Sequence, residues 1–408
     1  MDVEIREVTA EEWPEYVRAE HIPFGVQLGD AEMKYQSQRF GHWNGLAAFE
    51  EGRIVGTAGD WDMRLTVPGG SDVHAPGVTA VGVLPTHRRQ GLLTALMRRQ
   101  LDDFRGRGEP VATLLAAESV IYGRFGYGWA TTSAAAELDR VHGVFREDTA
   151  AGARFELLDK AEAAKVLPDV FEGARRLQAG QVTRPDGWWE QFLRDPEWAR
   201  DEGGSELFHV VCRMGDDVGF ACYRLKENWD DNIPQYRLFV NQAMGTSPPV
   251  RAALWQYLLG VDLVATVRFE NLPVEEPVRW MLRDPRRLRT RTVSDFLWVR
   301  LVDVARALEG RRYRIADRLV LDVVDAFLPE NEARYELDAG PDGAGCRRTN
   351  GPPDLRLSVA ELGSAYLGGV SLTSLAGAGR VEELTPGALA RADLVFGADV
   401  PPWCSTDF

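Results

Sequence analysis

The 408-residue sequence is poor in cysteine and has no long apolar segment. Its four cysteines include no Cys-x-x-Cys pair and are too sparse for a disulfide framework, so we expect reduced thiols. No apolar run approaches the roughly 18 residues that a membrane-spanning helix needs. The first residues are acidic where a secretory signal requires a basic segment, and the six histidines lack zinc-site spacing. We therefore expect a cytoplasmic protein with no membrane partner and no metal.

Basic residues are also in the minority. The chain has 47 Lys and Arg against 62 Asp and Glu, a formal net charge of -15 at pH 7. Nucleic-acid binding generally requires a basic face, so we expect no nucleic-acid partner. A cationic substrate suits this charge, although surplus acidic residues can also serve solubility alone.

The order of strands and helices predicts an internal repeat. A strand, a helix, a hairpin, a strand and a helix follow one another up to about residue 145, and the same order returns between residues 154 and 262. From residue 301 the pattern changes to strands separated by Gly-rich turns, which predicts a separate α+β domain. The length also exceeds what one hydrophobic core usually supports. We predict an α+β protein with three domains, at residues 1–148, 149–295 and 296–408.

A turn in the first domain predicts a binding site for a pyrophosphate. The apolar strand that ends at Val83 leads into two arginines and a glycine, followed at once by a helix. The N–H groups of a helix's first turn bind anions, and Gly91 lets a phosphate approach the backbone closely. The free edge of the strand can pair with an amide-rich ligand. These residues alone are also compatible with an ordinary strand–turn–helix junction that carries two surface arginines. No comparable Arg-Arg-x-Gly turn occurs in the second domain.

The turn resembles that of the GNAT acetyltransferase superfamily, in which the motif is [Q/R]-x-x-G-x-[G/A]. The last position departs from the small residue of that motif, since it is Leu93. Together with the segment 121–128 and the terminal Asp407-Phe408, the turn resembles the Eis (enhanced intracellular survival) family. This resemblance implies two GNAT domains, the second degenerate, followed by a sterol-carrier-protein-like domain, with acetyl-CoA as co-substrate. It implies that acetyl-CoA contacts Val81, Gly82, Val83, Arg89, Gln90, Gly91, Leu92, Leu93, Thr94, Ala117 and Glu118. We expect Arg88 to contact it as well, because its charge can meet a phosphate at the rim of the turn.

Acetyl transfer to an amine needs a group that accepts a proton from the amine and one that protonates the departing thiolate. Tyr122 is the candidate acid, because it follows a buried strand by a few residues and a phenol is protonated at neutral pH. A packing role like that of Tyr127 is the alternative. The residues alone leave the base open between Glu118, Asp60 and Asp62, each through a water molecule. The resemblance implies instead that the C-terminal carboxylate of Phe408 is the base.

The resemblance also implies the acceptor. Family members acetylate aminoglycosides, at more than one amine, in a pocket lined by acids and aromatics, for which Phe24 and Asp407 are the candidates here. This chain has no tryptophan between residues 31 and 40, where the family has one. Family members form hexamers. Two other functions remain open: a protein or peptide lysine N-acetyltransferase, and a lipid-binding scaffold with a vestigial GNAT domain.

Overall fold

A computed structural model describes residues 3–197, 200 and 204–408. The chain folds into two compact units. Unit 1 contains the chain up to Thr131, together with Leu297–Asp399 and Asp407–Phe408. Unit 2 contains Thr132–Phe296 and Val400–Thr406. No helix in the described residues is both long enough and apolar enough to cross a membrane.

The helices and strands follow the repeated order predicted from the sequence. The first part of the chain contains β1 (Val3–Glu7), α1 (Trp13–His21), α2 (Asp30–Ser37), β2 (Asn44–Glu50), β3 (Arg53–Trp61), β4 (Arg64–Thr66), β5 (Asp72–His74), β6 (Gly77–Val83), α3 (Leu92–Arg107), β7 (Val111–Leu115), α4 (Ser119–Tyr122) and β8 (Gly128–Trp129). The middle part contains β9 (Thr132–Asp139), β10 (Arg154–Leu158), α5 (Lys160–Arg175), α6 (Asp186–Arg194), β11 (Phe208–Met214), β12 (Asp217–Lys226), β13 (Trp229–Asp230), β14 (Ile233–Pro234), β15 (Tyr236–Gly245), α7 (Pro248–Gly260), β16 (Val264–Leu272), α8 (Val278–Met281) and β17 (Arg289–Asp295). The last part contains β18 (Leu297–Leu301), α9 (Val304–Glu309), β19 (Asp317–Val324), β20 (Ala333–Gly340), β21 (Gly343–Arg348), β22 (Leu355–Ser358), α10 (Val359–Ala365), α11 (Leu372–Gly377), β23 (Val381–Glu383) and α12 (Ala388–Phe396).

Unit 1 contains a seven-stranded mixed sheet in the order β1-β2-β3-β6-β7-β18-β8. Its central pair, β6 and β7, is parallel and is in register only at Gly77–Thr113 and Val78–Leu114. Beyond these two positions the strands diverge. Helix α3 connects them and buries an apolar face that includes Leu96, Leu101 and Phe104 in the core of this sheet.

Unit 2 contains a second seven-stranded sheet, in the order β10-β11-β12-β15-β16-β9-β17. Its central pair, β15 and β16, is also parallel, with register from Tyr236–Val264 to Val240–Phe269, and it also diverges beyond the last pair. The connecting helix α7 is buried along most of its length. The two sheets therefore share one topology, which confirms the repeat.

Each sheet takes its sixth strand from an unexpected part of the chain. Strand β9, which lies within the predicted first domain, pairs in the second sheet between β16 and β17. Strand β18, which lies within the predicted third domain, pairs in the first sheet between β7 and β8. Hydrophobic alternation shows that a strand forms, but not which distant strand it pairs with. The boundaries at residues 148 and 295 stay a prediction.

The last part of the chain adds a five-stranded sheet to unit 1, in the order β21-β20-β19-β22-β23. Helix α10, which follows β22, lies directly on β8. A Cβ placed on Gly128 would be 1.9 Å from the carbonyl oxygen of Ala360, so only glycine allows this approach. Two mixed sheets with their helices and a further C-terminal sheet confirm the predicted α+β class.

Candidate active site

A cavity of about 760 Å³ lies in unit 1, where β6 and β7 diverge. This volume is within the range of ordinary small-molecule sites. It brings together most of the predicted site residues, although they are spread over one hundred positions of the sequence. The lining residues are Pro23, Phe24, Val81, Gly82, Val83, His87, Arg88, Arg89, Gly91, Leu92, Leu93, Thr94, Ala117, Glu118, Ile121, Tyr122 and Arg124.

A β-bulge in β6 opens the wall of this cavity. Three steps along β6, from Thr79 to Gly82, face only two steps along β3, and Ala80 has a positive φ of 54°. The hydroxyl of Thr57 donates to the carbonyl oxygen of Ala80 at 2.8 Å and so holds the bulge. Bulges bend a strand and terminate its pairing. In the described residues, the β7 side of β6 therefore has no strand partner at Val81–Val83, where it faces the cavity.

The start of helix α3 forms another part of the cavity wall. After a 3-10 turn at Pro85–His87, Arg89 and Gly91 both adopt left-handed conformations, with φ of 63° and 87°. Gly91 is the N-cap residue of α3 and has no side chain with which to cap the helix. A Cβ placed on Gly91 would meet no atom within 4 Å. There is therefore open space beside the start of α3, and the first-turn N–H groups of a helix are the groups that bind anions.

The two arginines of the turn differ in their contacts. Arg88 donates to the carbonyl oxygens of Val83 and Pro23, from Nε at 3.4 Å and from Nη2 at 3.0 Å, and so braces the loop. Arg89 is exposed at the rim of the cavity and is the better placed of the two to meet an anionic ligand. Gln90 donates to the carbonyl oxygen of Thr86 at 3.3 Å and does not line the cavity.

Tyr122 ends helix α4 and is buried in the cavity wall, with 8% of its surface exposed. Burial, followed by the charge of Glu118, raises the pKa of its phenol to about 12. The phenol is therefore protonated at neutral pH and can donate a proton. The ring of Tyr127 lies 6.1 Å from that of Tyr122 but does not line the cavity.

The carboxylates considered as bases occupy different surroundings. Glu118 lines the cavity, whereas Asp60 and Asp62 do not. Asp60 is buried on β3, where it accepts a hydrogen bond from the side-chain amide of Asn44 at 3.0 Å, and burial raises its pKa. A structural role in the sheet accounts for these contacts of Asp60.

The C-terminal residue lies against the point where β6 and β7 begin to diverge. A Cβ placed on Gly77, the first residue of β6, would be 2.9 Å from the ring of Phe408 and 2.8 Å from the sulfur of Met63. Phe408 is partly buried and Asp407 is exposed. Neither residue is among those that line the cavity, so the structure does not bring these two together with the other predicted site residues.

Several lining residues were not predicted. Pro23 packs on Gly82, since a Cβ at Gly82 would be 2.8 Å from its ring, and this contact explains the glycine. His87 hydrogen-bonds Glu50 through Nε2 at 2.9 Å. Ile121 and Arg124 flank Tyr122 in the glycine-punctuated segment, which was the available signal for them. No sequence pattern links Pro23 to Arg88 of the turn, 65 residues later.

Comparisons with known proteins agree with this geometry. Residues 4–130 match the family model of an acetyltransferase (GNAT) domain, residues 180–302 match a second such model, and residues 304–405 match a sterol carrier protein domain. An uncharacterized N-acetyltransferase of Streptomyces coelicolor is 46% identical over 87% of this chain and 86% of its own. N-acetyltransferase Eis of Mycobacterium tuberculosis is 32% identical over 87% of this chain and 86% of its own. The crystal structure of Eis1 from Mycobacterium abscessus, 35% identical, covers both chains completely with a TM-score of 0.86.

Proposed function

The chain belongs to the Eis-like N-acetyltransferases of the GNAT superfamily, and we propose that it acetylates amines of aminoglycoside-like polyamines at the cavity of unit 1, with acetyl-CoA as donor. The observation that carries this proposal is the convergence of three features on one cavity. These are the unpaired edge of β6, the open start of α3 and the buried phenol of Tyr122.

The cavity residues fit acetyl-CoA, which supplies an acetyl thioester. The first-turn N–H groups of α3 and the side chain of Arg89 would hold the pyrophosphate, with Gly91 allowing close approach. The backbone of Val81–Val83 would pair with the amides of the pantetheine arm. Ala117, which has no hydroxyl, and Glu118 would contact the donor from the β7 side.

Two groups of the chain would move the protons. Tyr122 would donate its phenolic proton to the thiolate as the carbon–sulfur bond breaks and the nitrogen–carbon bond forms. The terminal carboxylate of Phe408 would accept the proton that the amine loses. The packing of the Phe408 ring on Gly77 supports this role, because Gly77 lies in the short paired part of β6, next to the point where β6 and β7 diverge. Glu118 is the alternative base, since it lines the cavity.

The acceptor would enter past acids and aromatics. Phe24 lines the cavity and is 56% exposed, so its ring is available to a ligand. Asp407 is exposed beside Phe408, and the net charge of -15 attracts a polycation. By family resemblance we further propose that the protein is a hexamer, which light scattering of the purified protein would test.

A panel of amine acceptors, followed by the release of CoA thiol, tests the function. Kanamycin-type aminoglycosides should release thiol, and mass spectrometry of the products should show more than one added acetyl group. Faster turnover of lysine peptides than of every aminoglycoside would favour the protein acetyltransferase instead. Release from no amine, together with no binding of acetyl-CoA, would indicate a scaffold with a vestigial site and would refute the proposal.

A further inference from the structure

The second sheet contains the same divergence as the first, but it is filled. In unit 1 the divergence beyond Val78 is open, with the cavity of about 760 Å³. In unit 2 the divergence beyond Val240 and Phe269 leaves a cavity of only about 10 Å³, room for about one water molecule. The segment that closes it is the chain's own C-terminal stretch, whose Trp403 and Ser405 line what remains.

Two side-chain amides take the place of the missing strand pairing. Gln242 lies two residues beyond the last paired position of β15, and Asn271 lies two residues beyond that of β16. Gln242 donates from Nε2 to the carbonyl oxygen of Ser405 at 2.9 Å. Asn271 donates from Nδ2 to the carbonyl oxygen of Cys404 at 3.0 Å and accepts from the indole nitrogen of Trp403 at 2.7 Å. Both strands thus bind the same short stretch of backbone.

The loop after α5 binds this stretch from a further side. The carbonyl oxygen of Ala179 accepts from the backbone nitrogen of Trp403 at 2.9 Å, and Gln181 Nε2 donates to the carbonyl oxygen of Trp403 at 2.9 Å. The hydroxyl of Ser405 donates to Gln181 Oε1 at 2.8 Å. Residues 403–406 are all buried, so these bonds are shielded from water.

Arg184 binds the segment with a charged side chain. Its guanidinium is buried and stacks on the rings of Phe171 at 3.8 Å and Trp188 at 4.0 Å. It donates to the hydroxyl of Thr406 at 2.9 Å and to the carbonyl oxygen of Ser405 at 3.1 Å. Burial lowers its pKa to about 9. Its Nη1 has no hydrogen-bond partner among the residues that the structure describes, so the aromatic rings and the bonds to the segment solvate this buried cation.

We propose that the diverging strands of the second sheet form a binding site for the chain's own C-terminal segment, residues 400–406, with Arg184, Gln242 and Asn271 as positioning residues for the C-terminus. The segment occupies the place that the donor occupies in the first sheet under the proposed function. The degenerate domain therefore holds the residues that precede Asp407 and Phe408. The binding of the segment does not depend on the proposed function. Only the effect of this binding on catalysis rests on the proposed role of the Phe408 carboxylate.

Labelling of Cys404 measures the opening of this site directly, because Cys404 is a fully buried cysteine of the segment that is not in a disulfide. The full-length protein and its variants are treated with N-ethylmaleimide under native conditions, and mass spectrometry follows each cysteine. Cys212 and Cys222, buried in the second sheet, are internal references. Asn271→Leu removes two hydrogen bonds to the segment, and one from the hydroxyl of Ser133 on β9, and should raise the labelling rate of Cys404 about tenfold. The matched control is Asn241→Leu, at an exposed position beside Gln242, which should label as the parent does.

Two further variants keep the test decisive. Arg184→Met should accelerate labelling of Cys404 more than Asn271→Leu does, since the segment loses the hydrogen bonds from a charged side chain. Thr406→Val changes only the segment and leaves the second sheet intact, so it should accelerate labelling of Cys404 alone. Unchanged protection of Cys404 in Asn271→Leu and Thr406→Val overturns the proposal. Labelling of Cys212 and Cys222 in step with Cys404 in every variant also overturns it, because the segment would then open only with the whole domain.

Turnover separates this inference from the proposed function. With the Phe408 carboxylate as base, the variants that expose Cys404 should lower kcat and leave the affinity for acetyl-CoA unchanged. If Cys404 becomes reactive while kcat stays at the parent value, the positioning site stands and the Phe408 base is refuted.

Discussion

Replacing Gly91 by alanine tests the donor site most directly. The structure gives this substitution two separable effects. A left-handed alanine with φ near 87° costs about 1–2 kcal/mol in backbone strain. The added Cβ meets no protein atom within 4 Å, so it clashes with nothing until a ligand occupies the cavity. There it would obstruct a phosphate at the first turn of α3.

Gly52 supplies the matched control. It lies in the turn between β2 and β3, has φ of 77°, and a Cβ there also meets no atom within 4 Å. Gly52→Ala and Gly91→Ala should therefore lose about the same stability, measured by denaturant unfolding. Only Gly91→Ala should weaken acetyl-CoA, by about 10- to 100-fold, because a charge-assisted hydrogen bond contributes about 1.5–3 kcal/mol.

Isothermal titration of acetyl-CoA into both variants provides the measurement. A dissociation constant for Gly91→Ala within twofold of that for Gly52→Ala would show that the pyrophosphate does not approach this glycine. The turn would then be an ordinary strand–helix junction, and the donor site would have to lie elsewhere in the cavity.

Three further predictions concern the proton transfers. Tyr122→Phe should lower kcat by about 10²- to 10⁴-fold in the thiol-release assay, whereas Tyr127→Phe should leave it near the parent value; equal rates for the two variants would exclude Tyr122 as acid. Because burial raises the pKa of Tyr122 to about 12, its phenol loses its proton only near that pH, so a kcat profile between pH 7 and 10 should show no fall due to this residue. One glycine added after Phe408 moves the terminal carboxylate by up to about 3.5 Å and should lower kcat by about 10²-fold, while Phe408→Leu, which keeps the carboxylate in place, should lose less; undiminished turnover of the extended chain would eliminate Phe408 as base.

Local features of the fold could be predicted well from the sequence. The strand predicted to end at Val83 is β6, which ends there, and the repeat predicted to start at residue 154 starts there with β10. These segments are β-branched or alternating, and their neighbours carry turn residues, so local propensity and the final fold agree. The turn at Gly91 could also be predicted, because glycine is the residue that adopts a left-handed conformation without strain.

Features that depend on distant contacts could not be predicted. The alternation in β18 does not reveal that it completes the first sheet rather than the last, since strand pairing over such a separation leaves no local signal. No local pattern indicates that the guanidinium of Arg88 binds the carbonyl oxygen of Pro23, which comes from another part of the chain. The segment 400–406 likewise shows no sign in the sequence of the strands that bind it.

The starts of the two equivalent helices explain why we propose a donor site in the first sheet and none in the second. Helix α3 begins with Leu92 and Leu93, whose N–H groups remain free to bind an anion. Helix α7 begins with Pro248 and Pro249, which have no N–H group to offer. A Cβ at Gly245, just before α7, would lie 3.0 Å from Val250, so the backbone there is crowded rather than open. Prolines suit a helix start, because the N–H groups that they lack would have no acceptor within the helix. The second domain thus keeps the fold of the repeat while lacking the backbone donors that phosphate binding needs, and its diverging strands are left to bind an uncharged stretch of peptide.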